Sequence, residues 1–160
     1  MANSDNPRTG SDFEVSVQAF FALRGVILHR DFLQPVGMRA EKHQHSFDLG
    51  STNPPLLIEC KCHTWTSGGN SPSAKLAVWN EAMFYFAAAP AQFQKILLVK
   101  RSLKGNLSLA DHYVTRFGHL VPSRVTIIEY DNLVGTARMV FPEKGTLQGE
   151  SFRGVRRCLN

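Results

Sequence analysis

The feature that most constrains the fold is residues 56–63 (LLIECKCH), where charged residues interrupt an apolar, strand-like run. Side chains alternate along a strand, so its polar members lie on one face: Glu59, Lys61 and His63. A strand buried inside a sheet is normally apolar on both faces. Burying a carboxylate and an amine there costs several kcal/mol each unless they are paired or bind a metal ion. The segment therefore predicts a buried strand with a functional face.

Apolar periodicity elsewhere predicts alternating helices and strands. Phe13 and Val17 begin a stripe at helical spacing, and the alanine-rich residues 73–89 form the clearest helix, with Ser71 or Ser73 as its expected cap. The predicted order is helix 11–24, strand 26–36, loop 38–46, strand 47–49, turn 50–55, strand 56–63, helix 73–89, strand 95–100, helix 109–120, strand 125–130 and weaker strands near 137–141. This order favours an α/β sandwich around a central mixed sheet flanked by helices.

Length and composition predict one globular domain with a polyanionic partner. The 160 residues are 43% apolar, and we expect residues 11–160 to form one domain behind a flexible N-terminus, residues 1–10. The formal net charge of +5 favours nucleic acid. Cys60, Cys62 and Cys158 do not make a disulfide framework, and no signal peptide or membrane-length apolar run is seen. We therefore expect a cytoplasmic protein.

A divalent cation would compensate the charges of the 56–63 strand. Mg²⁺ prefers oxygen ligands and typically takes one or two protein carboxylates. Asp48 precedes Glu59 by eleven positions, enough for a turn and a return strand that brings the two carboxylates together. The backbone carbonyl of Cys60 is the expected third ligand. Lys61 would orient or deprotonate the attacking water, or neutralise charge on a phosphate.

Asp48, Glu59 and Lys61 together resemble the signature of the PD-(D/E)XK nuclease superfamily, whose core is restriction-endonuclease-like. In that family an acidic residue ends one strand and Glu/Asp-x-Lys lies in the next, on an α-β-β-β-α-β scaffold. The predicted elements of residues 11–100 follow that order. Phe47 stands where the family pattern has a proline, as in members that lack it.

The resemblance implies a Mg²⁺-dependent DNA endonuclease that hydrolyses phosphodiester bonds, with Mn²⁺ as a possible substitute for Mg²⁺. It leaves open a restriction-type, junction-resolving or other DNA-processing role. The implied partner is double-stranded DNA. A homodimer is expected, because one chain offers one site and a duplex has two strands.

Two further residues have both a functional and a structural interpretation. Glu14 lies on the first helix, where some members of the superfamily carry an acid that joins the metal site; it is equally a solvated acid favoured by the helix dipole. His63 shares the face of Glu59 and Lys61 and is a DNA-contact candidate. The alternative for His63 is a polar end to the strand.

Other DNA-contact candidates lie on the next helix, its preceding loop and the C-terminal tail. Ser73 and Lys75 begin the helix, where backbone amides suit phosphate, although Lys75 is also explained as a solvated lysine. Loop 64–70 is expected to lie over the substrate, with Trp65 as a packing anchor or a DNA-stacking residue. The tail contributes three basic candidates, for which a solubilising role is the alternative: Arg153, Arg156 and Arg157.

Several polar or aromatic residues receive no firm role from the sequence. His43 and His45 are open to a DNA contact, but a plain loop role is favoured. Glu81 receives no chemistry, and Tyr85 is interpreted as a core or dimer-interface residue.

The main alternative function is a non-catalytic nucleic-acid-binding or scaffolding protein on the same fold. A retired site would have no physical reason to keep Asp48, Glu59 and Lys61 together, so this alternative is disfavoured. An enzyme acting on small phosphates is disfavoured because the chain has no G-x-x-x-x-G-K-S/T or G-x-G-x-x-G loop.

Overall fold

Helices and strands alternate along most of the chain, as its apolar periodicity predicts. The computed structural model describes residues 6–142. The elements are α1 (Asn6–Ala22), β1 (His29–Val36), β2 (His43–Thr52), β3 (Pro55–Lys61), α2 (Ser73–Ala88), β4 (Gln94–Lys100), β5 (Leu103–Lys104), β6 (Leu107–Ser108), α3 (Leu109–Phe117), a 3₁₀ turn (Gly118–Leu120), β7 (Val125–Asp131) and β8 (Thr136–Phe141).

Six strands form one mixed sheet in the order β1-β2-β3-β4-β7-β8. Strand β2 pairs antiparallel with both β1 and β3, while β3, β4 and β7 run parallel to one another. The edge strand β8 returns antiparallel to β7. Strands β4 and β7 are buried along almost their whole length, as expected for parallel strands covered on both faces. The predicted α/β class with a central mixed sheet is confirmed.

Helices cover both faces of this sheet. On one face, α1 buries Val17 and Phe21 against Ile58 and its neighbours in β4 and β7. On the other face, α2 and α3 pack over a second core cluster that includes Leu57 and Trp79. Because side chains alternate along β3, the residues that continue the face of Leu57 point toward α2. This alternation directs the charged side chains of β3 to the α2 side.

The N-terminal ends of two helices, α1 and α2, differ from the prediction. Helix α1 begins at Asn6 rather than near residue 11. Pro7 fits a first helical turn, where its missing N–H has no intrahelical partner, and Gly10 had weakened the helical signal. The cap expected from Ser71 or Ser73 is wrong, because the N-cap of α2 is Pro72 with no side-chain hydrogen bond.

The largest correction concerns β2, which spans His43–Thr52 instead of residues 47–49. Its first residues are polar and mostly exposed because they pair only with the edge strand β1. A half-solvated strand of this kind has too few apolar residues to stand out from a loop. The short hairpin formed by β5 and β6 was also missed, because two-residue strands carry no periodicity. Within the described part of the chain, no helix is long and apolar enough to cross a membrane.

Candidate active site

The candidate site begins where β2 separates from β3. The pairing of the two strands runs from Thr52–Pro55 to Leu49–Ile58, whereas β2 continues to pair with β1 as far as His43. The next free amide of β3, that of Cys60, donates a hydrogen bond to Oδ2 of Asp48 at 2.7 Å. A side-chain carboxylate thus replaces the backbone acceptor that a continuing ladder would supply. This bond fixes the Asp48 carboxylate against β3.

Strand β1 is irregular beside the same position. Asp31 lies between two regular β1–β2 pairs, opposite Asp48, and has a φ of 51°. Non-glycine residues rarely adopt this left-handed conformation, and such strained positions concentrate at functional sites. The backbone irregularities of β1 and β2 therefore coincide at Asp48.

The three residues of the predicted centre are in contact. Lys61 places its Nζ 2.6 Å from Oε2 of Glu59 and 3.5 Å from Oδ2 of Asp48. The Glu59 side chain is only 8% exposed and that of Lys61 13%, whereas Asp48 is 28% exposed. One amine therefore links two carboxylates at the edge of the core. The geometry brings together the residues that the sequence selected, while their catalytic role stays a prediction.

The charges of this centre depend on each other. Burial raises the pKa of the Glu59 carboxyl, and the ammonium of Lys61 opposes that rise. Burial works against the charge on Lys61, but the adjacent carboxylates of Glu59 and Asp48 outweigh it and raise the pKa of the amine. Lys61 is consequently a cation at neutral pH. Of the roles open to it, neutralising charge on a phosphate fits this state, and deprotonating water does not.

A cavity of about 250 Å³ opens beside the centre, between the sheet and α2. This volume admits several water molecules, and therefore a hydrated cation beside a phosphate group. Its lining comes from β2, β3 and α2: His45, Ser46, Asp48, Glu59, Lys61, Val78, Glu81, Ala82 and Tyr85.

His45 is the most significant residue that the sequence analysis underestimated. Its Nε2 lies 3.3 Å from Oε1 of Glu59, so both oxygens of that carboxylate have a partner. The imidazole stacks on the ring of Tyr85, with centroids 3.7 Å apart and planes 12° from parallel. The favoured loop role for His45 is wrong because the residue lies within β2.

Helix α2 supplies the opposite wall of the cavity. Glu81 and Tyr85 are four positions apart and therefore share one helix face, as Val78 and Ala82 do. From the sequence alone, Glu81 has no predicted chemistry and Tyr85 is predicted to be a core or dimer-interface residue. One sequence signal was available: an acid and an aromatic residue stand four positions apart on the helix after Glu-x-Lys. This spacing places Glu81 and Tyr85 on one helix face, but only the packing of α2 on β3 shows that this face lines the cavity.

Glu14 lies apart from the cavity lining. Its Oε2 pairs with a guanidinium nitrogen of Arg30 at 2.5 Å, from α1 to β1. Burial raises the pKa of Glu14, and the Arg30 hydrogen bond opposes the rise. Glu14 is not among the described residues that line the cavity, but the nearby Asp48 carboxylate adds to the rise of its pKa. A place for Glu14 in the metal site stays a prediction.

His63 is held by the core. Its Nδ1 accepts a hydrogen bond from the indole Nε1 of Trp79 at 2.9 Å. Burial lowers the pKa of His63 to about 4, and the nearby charges of Lys75 and Lys61 act in the same direction. A neutral imidazole whose Nδ1 accepts carries its proton on Nε2. His63 thus has a structural bond and keeps one donor.

The remaining DNA-contact candidates are exposed or outside the described residues. Ser73 and Lys75 lie in the first turn of α2 and face solvent. The basic residues of the C-terminal tail lie outside the residues that the structure describes: Arg153, Arg156 and Arg157. DNA contact by these residues stays a prediction.

Loop 64–70 is tied to the neighbouring hairpin. The amide of Trp65 donates to Oγ of Ser102 at 3.1 Å, and Nζ of Lys104 donates to the carbonyl of Gly69 at 2.5 Å. The Trp65 ring packs against the core cluster on the α2 face and against His112. Trp65 is therefore a packing anchor, and the loop is fastened to the segment that carries the β5–β6 hairpin. The position of the loop over a substrate stays a prediction.

The donor set of the cavity fits Mg²⁺. The carboxylates of Asp48 and Glu59 line the cavity and are hard oxygen ligands, and Mg²⁺ commonly binds proteins through one or two carboxylates with water in its other positions. The Cys60 carbonyl stays the predicted third ligand. Within residues 6–142, no group of three or more His, Cys, Asp or Glu side chains is arranged to hold a metal. A metal here would rely on two carboxylates, and Glu59 would share its oxygens with Lys61 and His45.

The comparisons with known proteins do not assign the chain to a family. No family model, no curated protein and no solved structure matches it. The chemistry of the candidate site therefore rests on the geometry of its own residues.

Proposed function

We propose that this chain is a Mg²⁺-dependent DNA endonuclease of the PD-(D/E)XK type that hydrolyses phosphodiester bonds. The observation that carries the proposal is the contact of Asp48, Glu59 and Lys61 beside a cavity, at the point where β2 leaves β3. The order α1-β1-β2-β3-α2-β4 supports it, because it follows the α-β-β-β-α-β order of the restriction-endonuclease-like core.

Each residue has a distinct task in this proposal. The Cys60 amide engages Oδ2 of Asp48, so Oδ1 is the oxygen that we assign to the metal ion. Glu59 and the Cys60 carbonyl complete the protein ligands. When bound, Mg²⁺ would stabilise charge on the phosphate and lower the pKa of a coordinated water. The two carboxylates would hold the cation at the edge of the core, where charge is screened less than in bulk water and electrostatic stabilisation is stronger.

Lys61 acts on the reacting phosphate. Its ammonium is held between two carboxylates, which keep it protonated. In this proposal its positive charge stabilises the negative charge that the pentacovalent phosphate gains. By family resemblance, water attacks phosphorus, the P–O bond to the 3′ oxygen breaks and that oxygen takes up a proton. The products would be a 5′-phosphate and a 3′-hydroxyl.

The expected substrate is double-stranded DNA, and the expected assembly is a homodimer. The net charge of +5 favours association with a polyanion. One chain carries one candidate centre, and cutting both strands of a duplex takes two.

The proposal is tested by incubating the purified chain with plasmid, linear duplex, single-stranded and four-way-junction DNA, in Mg²⁺ or in EDTA. We expect cleavage that needs Mg²⁺ and falls by about 100-fold or more in Glu59→Gln. Glu129→Gln is the matched control, because Glu129 is a buried strand glutamate with an Arg138 partner and lies outside the cavity lining. Equal activity of wild type and Glu59→Gln would contradict the proposal.

One observation favours a second candidate, a nucleic-acid-binding or scaffolding protein without catalysis. Lys61 and His45 already engage both oxygens of Glu59, so the buried carboxylate is satisfied without a metal. This candidate predicts DNA binding that is equal in EDTA and Mg²⁺, with no cleavage of any of the four substrates.

A further inference from the structure

The Glu59 carboxylate is held from two sides in a way that the proposed reaction does not require. Lys61 binds Oε2 at 2.6 Å, which the Glu-x-Lys pattern accounts for. His45 binds Oε1 at 3.3 Å, from a different strand and fourteen positions earlier in the chain. An ionised carboxylate only accepts hydrogen bonds, so the imidazole donates through Nε2. The bond therefore fixes the tautomer of His45 and the plane of the carboxylate together.

The ring of His45 is itself immobilised. Tyr85 on α2 stacks against one of its faces, and Phe47 contacts the ring edge-on at 4.7 Å. Such aromatic contacts stabilise the ring beyond the effect of burial alone. The His45 side chain is 21% exposed, so it lies at the cavity wall and not in the solvent. A donor clamped in this way can orient an acceptor.

We infer that His45 is a positioning residue for Glu59, whose carboxylate it holds in the orientation that binds a divalent cation, with Tyr85 as the support that fixes the imidazole. This inference rests on the proposed function, because it gives the Glu59 carboxylate a metal to bind. A hydrogen bond to a metal ligand holds that ligand in its binding orientation before the metal arrives. Less conformational freedom is then lost when the metal binds. Losing such a bond typically costs about 10–100-fold in metal affinity.

The test compares His45→Phe with His43→Phe. Phenylalanine at position 45 keeps a ring to stack on Tyr85 but removes the Nε2 donor. His43 lies on the same strand with a side chain that is 81% exposed, so its replacement controls for adding a phenylalanine to β2. Mn²⁺ binding to the DNA-free full chain is measured by isothermal titration calorimetry. Duplex cleavage is then measured over a Mg²⁺ titration.

We expect His45→Phe to raise the Mn²⁺ dissociation constant by about 10-fold or more, with His43→Phe unchanged. The Mg²⁺ concentration for half-maximal cleavage should rise by a similar factor. At saturating Mg²⁺ the rate should recover toward that of the wild type, and the KM for DNA should be unaltered. A merely structural defect would instead lower the active fraction at every metal concentration.

The failures of the inference and of the proposed function give different results. A wild type that binds Mn²⁺ and cleaves, with an equal dissociation constant in His45→Phe, overturns only the inference. A wild type that binds no divalent cation overturns both. Binding of Mn²⁺ without cleavage of any DNA contradicts the proposed function, and the dissociation constants still decide the inference.

A second pair of variants decides the matter if His45→Phe does not fold. Tyr85→Leu removes the stacking support and leaves the imidazole, while Tyr85→Phe keeps the ring. We expect Tyr85→Leu to bind Mn²⁺ about threefold or more weakly than Tyr85→Phe, as the smaller effect of a looser donor. Equal dissociation constants in the two variants would overturn the role of Tyr85 and the inference with it.

Discussion

Two buried glutamates lie on the same face of the sheet, and they belong to clusters of different kinds. Glu59 is on β3 and Glu129 is on β7. Lys61, Val99 and Glu129 form one row across the parallel strands, which sets the two clusters about two strands apart. Both glutamates are almost fully buried, and each has a cationic partner. Burial and charge pairing alone therefore do not distinguish a site from a structural ion pair.

The Glu129 cluster is centred on one guanidinium and lies outside the cavity lining, although Oε2 of Glu129 is buried without a hydrogen-bond partner among the described residues. Arg138 of β8 lies between two carboxylates, 3.1 Å from Glu129 and 2.9 Å from Asp111. Ser108, the N-cap of α3, adds a hydroxyl that bonds both to Asp111 and to Arg138. The planar guanidinium fork occupies the space between its acceptors. This cluster fastens the edge strand β8 to the start of α3.

The Glu59 cluster is held by a lysine, which is a single point charge, and both oxygens of Glu59 are engaged, by Lys61 and by His45. It also lines a cavity, and it lies where β2 leaves β3 so that Asp48 takes the place of a backbone acceptor. Both clusters contain buried charge, so buried charge alone does not mark the candidate site. What distinguishes the Glu59 cluster is the cavity beside two carboxylates and the end of the β2–β3 hydrogen bonding at Asp48.

The largest expected effect separates the two clusters by activity. Asp48→Asn removes a carboxylate but keeps an oxygen that accepts the Cys60 amide. We expect it to lower cleavage by about 100-fold or more and to weaken Mn²⁺ binding. The counterpart Asp111→Asn should leave cleavage within about threefold of wild type. The measurement is the cleavage rate of each variant on one duplex at saturating Mg²⁺. Equal losses of rate in the two variants would contradict the assignment of the active site to the Glu59 cluster.

The next effect concerns stability in the absence of metal. Lys61→Met leaves two neighbouring carboxylates without their cation, and we expect it to lower the free energy of unfolding by about 3 kcal/mol. Arg138 is half exposed and Arg101 stays 3.9 Å from Oε1 of Glu129, so Arg138→Met should cost less, about 1 kcal/mol. Urea unfolding in EDTA measures both. Added Mg²⁺ should restore part of the loss in Lys61→Met alone, because a bound cation stabilises only the folded state that holds it.

The two clusters should also titrate in opposite directions. The Arg138 and Ser108 hydrogen bonds outweigh burial and lower the pKa of Asp111, whereas burial raises the pKa of Glu59. Asp111 thus adds stability that is present above its unfolded pKa and lost as the pH falls through the folded value. Glu59 has the reverse sign, since its folded form binds a proton more tightly. Carboxyl-carbon NMR titration in EDTA should give a midpoint below 3.8 for Asp111 and above 4.5 for Glu59.

The central strands and the three residues of the site centre could be predicted from the sequence, because local patterns determine them. Strands β3, β4 and β7 are runs of apolar residues, and their positions agree with prediction to within about two residues. Strand alternation and the short turn before Pro55 bring Asp48 to the Glu-x-Lys strand. The centre of the site could therefore be predicted without a structure.

The rim of the site could not be predicted in this way. His45 lies in a half-exposed, polar stretch of β2 whose strand character comes from pairing with β1, not from its own sequence. Tyr85 and Glu81 reach the cavity only because α2 packs across the sheet. These contacts depend on tertiary geometry, which carries no local periodicity.

The smallest expected effect is on DNA affinity. Lys75 is exposed in the first turn of α2, near enough to His63 to lower the pKa of that imidazole. If DNA phosphates lie over the Glu59 cluster and not over the Glu129 cluster, Lys75→Ala should weaken duplex binding a few-fold. The slope of log K for DNA binding against log salt concentration should then fall in magnitude by about one. Arg101→Ala is the counterpart beside Glu129, with a side chain that is 46% exposed, and it should leave the slope unchanged. Fluorescence anisotropy on catalytically inactive Glu59→Gln, over a range of salt concentrations, measures both slopes. A smaller slope for Arg101→Ala than for Lys75→Ala would place the DNA over the other cluster.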